Sequence, residues 1–173
     1  MSRVSFAVLA LLFAVAMSQA GETPEKSKAV KQDDQGKYTD KDGTPTYNVK
    51  PDGTVDWFTY AGFRLYHADC HVCHGPEGAG SSYAPALVDS LRTMTYEQFQ
   101  DVVVNGRTVA TAAKQSVMPA FGTNQNVICH LDDLYIYLRA RADGALQRGR
   151  PAKKEAKNEA ARAAENECLG VKS

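Results

Sequence analysis

The stretch Tyr66-His67-Ala68-Asp69-Cys70-His71-Val72-Cys73-His74-Gly75-Pro76 decides the reading of this chain. At its centre stands Cys70-His71-Val72-Cys73-His74. Thiols at i and i+3 share one side of a helical turn, and an imidazole follows the second directly. That order suits the attachment of c-type haem. Each thiol adds across a vinyl group, and the adjoining imidazole reaches the iron as an axial ligand. Cys70 and Cys73 are therefore the expected thioether positions, and His74 the expected proximal ligand, of one covalent haem c. Two other readings fit less well. A thioredoxin-like Cys-x-x-Cys opens a helix after a strand, whereas this motif follows a helical pattern and runs into Gly75-Pro76. A zinc site needs a second ligand pair at workable spacing, and the adjacent Cys129-His130 suits that geometry poorly.

Upstream of the motif, a helix is predicted from Thr54 to about Asp69. Phe58, Gly62, Leu65, Tyr66 and Asp69 recur at helical spacing, so most of one face is apolar. Gly62 in mid-helix costs about 1 kcal/mol relative to Ala, a cost that close approach by another helix would offset. A second helix starts at Thr95. Thr95 and Gln98 have capping-box spacing, and Met94 and Phe99 fit a hydrophobic staple. It runs through Val102 and Val103 and stops near Asn105-Gly106. The third covers Val127 to Ala142, with Leu131, Leu134, Tyr135, Leu138 and Ala142 as its apolar stripe. Gly144 closes it and Pro151 lies beyond. There is no internal repeat and little strand signal. The expected architecture is three or more helices, joined by long loops, around something that side chains alone do not fill.

The two ends read differently from this core. Arg3, the apolar run Phe6 to Met17 and the small-residue site Ser18-Gln19-Ala20 form a secretory signal peptide over residues 1–20, cleaved near Ala20. The apolar run is about a dozen residues, short of the ~20 a membrane span requires, so no membrane span is expected. Residues 21–50 form a polar arm with turn signals at Gly43-Thr44-Pro45 and, just beyond it, Pro51-Asp52-Gly53, and little to bury. Residues 51–150 make the helical domain, and 151–173 a polar tail rich in Ala, Lys and Glu, helical in part but mostly solvated. Acidic and basic residues balance at 20 each, which argues against a nucleic-acid partner.

A low-spin electron carrier needs a sixth ligand. Beyond the leader there are two methionines, Met94 and Met118. Met94 has a role as helix staple and lies a short path from His74. Met118 leads the stiff loop Pro119-Ala120-Phe121-Gly122, and is the expected axial thioether, a ligand that raises the reduction potential. Metal-bound imidazole usually donates its other N–H to a carbonyl or carboxylate; the Pro85 carbonyl, in Tyr83-Ala84-Pro85-Ala86-Leu87, is the candidate. Arg107 is a candidate partner for a haem propionate, with a solvated surface charge as the equal alternative. No spacing forces a role on His67, His71 or His130. Cys129 and Cys168 remain, and in an oxidising compartment such a pair is expected to form a disulfide.

With these phrases in view, the chain resembles a class I cytochrome c, an all-α fold with long loops around one covalently bound haem. From Val55-Asp56-Trp57 to Gly149-Arg150-Pro151 it resembles the cytochrome c(L)-like proteins of methanol metabolism, and within them the branch serving lanthanide-dependent methanol dehydrogenase. The carrying residues are the opening stretch, Tyr83 to Leu87, Val117-Met118-Pro119-Ala120-Phe121-Gly122, and Leu131-Asp132-Asp133-Leu134-Tyr135-Ile136-Tyr137-Leu138-Arg139-Ala140-Arg141. The resemblance implies a periplasmic electron carrier, not an enzyme, with His74 and Met118 as axial ligands. It implies a donor dehydrogenase carrying pyrroloquinoline quinone, and a smaller cytochrome c or an oxidase as acceptor. The donor loses two electrons per alcohol, so it must be met twice. Calcium binds near the haem in some relatives of the broader group, but no convincing ligand cluster is evident here. The alternatives are a general periplasmic shuttle for another quinoprotein alcohol dehydrogenase, a sensing haem protein, or a haem peroxidase. The last wants an open sixth position, which the Met118-Pro119 loop argues against.

Overall fold

A computed structural model of the chain describes residues 27–110 and 115–172. The proposed leader, 1–20, lies outside the described residues. In chain order the elements begin with three two-residue strands, β1 (Lys31–Gln32), β2 (Tyr38–Thr39) and β3 (Pro45–Thr46). These pair antiparallel in the order β1-β2-β3. Then come β4 (Thr54–Val55), α1 (Trp57–Leu65), a π-helical turn over Tyr66–Cys70, α2 (His71–His74), a 3-10 turn at Pro76–Gly78 and α3 (Leu87–Ser90). The second half holds α4 (Tyr96–Asn105), the hairpin β5 (Arg107–Ala110) with β6 (Gln115–Met118), α5 (Gln125–Cys129), α6 (Leu131–Ala142), β7 (Lys153–Lys154) and α7 (Glu159–Leu169). No helix among the described residues is long and apolar enough to cross a membrane.

The core is the crossing of α1 and α6, which the sequence of both helices dictates. Gly62 faces Asp133, and a Cβ at Gly62 would sit 1.8 Å from the Asp133 carbonyl oxygen. Only a missing side chain lets the backbones approach this closely, which is the return for a mid-helix glycine. Leu131, Leu134, Tyr135, Ile136, Tyr137 and Leu138 of α6 are all buried, so this helix is enclosed on nearly every side. Asp56 caps α1: its carboxylate accepts from the Thr59 amide at 2.8 Å and from the Asn48 amide at 2.8 Å. Burial pushes the Asp56 carboxyl above the ordinary range, against these donors. The capping box of α4 is formed by Thr95 and Gln98.

Several expectations need correction. The fold is not all-helical: among the described residues, seven short strands accompany the helices. Two-residue strands carry no period-2 signature, and β5–β6 lies where the sequence suggests only loop. The 21–50 arm has more to bury than its polar composition suggests. Within its described part, Thr46 and Tyr47 are buried, and the Tyr47 hydroxyl reaches Asp143 at 3.0 Å. The third helix is broken at His130 (φ −121°, ψ 23°) into α5 and α6. The first helix also starts later, at Trp57, since Thr54–Val55 pairs in parallel with Lys153–Lys154.

Candidate haem site

The site grows out of the junction between α1 and α2. The helix loosens into a π-helical turn over Tyr66–Cys70, a form often found at functional positions. It then tightens into the single turn His71–His74. Gly75 ends that turn at φ 71°, and a Cβ there would lie 2.1 Å from the Gly80 carbonyl oxygen. The chain therefore folds back tightly on itself behind His74.

The returning loop and Tyr66 together hold three successive carbonyls. Ser81 Oγ donates to Cys73 O at 2.5 Å, Gly80 N to His74 O at 2.8 Å, and Tyr66 Oη to Gly75 O at 2.5 Å. The same Tyr66 hydroxyl accepts from the Gly78 amide at 2.9 Å. Tyr66 is fully buried, and burial pushes its phenol up to about 12, so it stays protonated and donating.

His74 is 7% exposed, and its Nδ1 lies 3.1 Å from the Pro85 carbonyl oxygen. A carbonyl only accepts, so Nδ1 is the donor, and in the neutral tautomer Nε2 carries the lone pair. Cys70 and Cys73 are both free thiols. Burial, with Asp69 adding to it, pushes the Cys70 thiol up to about 12, which keeps it from acting as a resting thiolate. Two unpaired thiols on one turn, followed by an imidazole with a free Nε2, match the donor set that covalent haem c requires.

Met118 lies on β6, partly buried against the core, directly across from Arg107 on β5. Partners across an antiparallel pair share one face of the ribbon. After Met118 the chain is pinned to the end of α4, by Phe121 N to Val103 O at 3.0 Å and Gly122 N to Val104 O at 3.0 Å. The structure thus brings His74 to Pro85, and Arg107 to Met118. Cys129 and Cys168 form a disulfide, with S–S 2.01 Å. The sequence reading missed Tyr66 and Ser81 as organisers of the site. Tyr66 sits one turn before the motif, and Ser81-Ser82 opens a turn, but nothing local tells which carbonyls they reach.

Residues 59–138 match the family model described as cytochrome c oxidase, cbb3-type, subunit III. The chain is 49% identical over 134 residues to cytochrome c-553I of Paracoccus denitrificans, a match covering 78% of this chain and 59% of that protein. The chain thus spans only 59% of the length of that relative. It is 40% identical over 96 residues to cytochrome c-555 of Methylococcus capsulatus, covering 55% of this chain and 72% of the relative. Its fold is similar to the crystal structure of the c-type cytochrome XoxG from Methylobacterium extorquens AM1, with a TM-score of 0.79 and 52% identity, over 88% of this chain and 95% of that one. Each of these relatives is a cytochrome c. The chain belongs to the c-type cytochromes, of the cytochrome c(L)/XoxG kind, with covalently bound haem c as its cofactor.

Proposed function

We propose that the protein is a periplasmic monohaem cytochrome that takes single electrons from a quinoprotein methanol dehydrogenase, of the lanthanide-dependent type, and passes them to a smaller cytochrome c or an oxidase. The observation that carries this reading is the 3.1 Å contact from His74 Nδ1 to the Pro85 carbonyl. It fixes the ring and leaves Nε2 as the nitrogen available to a haem iron. The likeness to XoxG supports the choice of partner.

Bound covalently, haem c supplies a one-electron iron couple. Cys70 and Cys73 would hold it by thioether bonds, and His74 Nε2 would ligate the iron. Met118 would supply a thioether ligand, which would favour the reduced state and exclude small ligands. Arg107, across the ribbon from Met118, would pair with a propionate. Val72, within the motif, and Tyr83, on the loop behind it, have 82% and 75% of their surfaces exposed and would offer a partner apolar contact. The chain carries one attachment motif, so a donor releasing two electrons per alcohol is met twice.

Rapid mixing of the oxidised protein with lanthanide-loaded methanol dehydrogenase and methanol tests this. Fast, saturable, methanol-dependent haem reduction is expected. In Met118→Ala the ferric protein is expected to bind cyanide readily and to show a lower potential. Failure of the dehydrogenase to reduce a protein that a small chemical donor does reduce would remove the partner.

A further inference from the structure

His67 and His71 stand four residues apart along the same helical path, and their rings lie 5.2 Å apart centroid to centroid. Imidazoles at i and i+4 on one helix face are a recurrent way to chelate a transition ion. The pair is already half prepared. His67 Nδ1 lies 2.9 Å from the Phe63 carbonyl oxygen, which only accepts, so Nδ1 is the donor and in the neutral tautomer Nε2 carries the lone pair. This carbonyl-to-imidazole contact is the arrangement that orients metal-bound histidine. The ring is also held against Phe63, at 4.2 Å between centroids, so little freedom is lost on binding. Both residues are partly exposed, so an ion can reach the pair from solvent.

We infer that His67 and His71 form a two-imidazole surface site for a divalent transition ion of borderline softness, such as Zn²⁺. Nitrogen ligands select this class over Ca²⁺ or Mg²⁺, which want oxygen. Among the described residues no group of three or more His, Cys, Asp or Glu side chains converges on a metal position. The ion therefore takes two protein ligands and completes its shell with water, which makes the site reversible rather than structural. His71 lies between Cys70 and Cys73, so a dication there sits close to the haem attachment. It disfavours the extra positive charge of the oxidised state and raises the reduction potential.

Calorimetric titration of the haem-loaded protein with Zn²⁺ tests this, since loading consumes both thiols and His74. One ion per chain is expected. His71→Ala and His67→Ala are each expected to weaken uptake at least tenfold, while His130→Ala leaves it unchanged. An unaltered haem spectrum shows that each variant is folded, and His71→Ala decides the matter if His67→Ala disturbs the helix. Absence of saturable uptake, or uptake indifferent to His71→Ala, would overturn the assignment.

Discussion

Tyr66 is the residue on which the loop behind His74 depends. Its hydroxyl joins the Gly75 carbonyl and the Gly78 amide from a fully buried position. Tyr66→Phe keeps the ring and removes both bonds, leaving two polar backbone groups without a partner. The expected cost is about 1–3 kcal/mol, read as a lowered midpoint of urea unfolding in the haem-loaded protein. The loop also carries Pro85, so the variant is expected to shift the reduction potential as well, by loosening the partner of His74 Nδ1. A variant as stable as the parent, with the same potential, would mean that the loop holds its shape without Tyr66. At this scale the sequence is most informative where chemistry is local. Cys70, Cys73 and His74 announce themselves by spacing, whereas Tyr66 and Ser81 act through backbone groups whose position only the folded loop defines.

Among the elements, the α1–α6 crossing has the least tolerance. In Gly62→Ala the new methyl would meet the Asp133 carbonyl at 1.8 Å and Tyr137 Cβ at 2.8 Å. Backbone cannot yield as a side-chain tip does, so the helices must separate, at a cost of about 1–3 kcal/mol or more. Thermal unfolding of the variant measures it, and a midpoint equal to the parent would show that the crossing has slack. This contact was legible in the sequence because a lone glycine on an apolar helix face weakens the helix unless a second backbone needs the space. The Thr95–Gln98 capping box was legible because its rule is contained in four residues. The break at His130 was not, because Val127, Leu131 and Leu134 keep helical spacing straight through it. The strands were hidden too. Thr54–Val55 finds Lys153–Lys154 from the far end of the chain, and two residues are too few to show alternation.

For the molecule as a whole, the polar ends are fastened to the helical core rather than trailing from it. The Cys129–Cys168 disulfide links positions 39 residues apart and ties α7 to α5. Gln125 Nε2 adds a bond to Cys168 O at 2.7 Å, and His130 Nε2 lies 2.8 Å from Glu165. Closing a loop of this length contributes up to about 4 kcal/mol by restricting the unfolded chain. The double variant Cys129→Ser, Cys168→Ser is expected to unfold at lower urea and to exchange the α7 amides first. Equal midpoints would show that the side-chain contacts alone hold the tail. The loop from Gly75 to Pro85 has a wider consequence for the proposed carrier. With the carbonyls of residues 73–75 and the ring of His74 each held by a fixed partner, the surroundings of the redox centre have little to rearrange when one unit of charge arrives or departs. A small reorganisation energy follows, and the pace of exchange then rests on how closely two proteins approach and how long they stay.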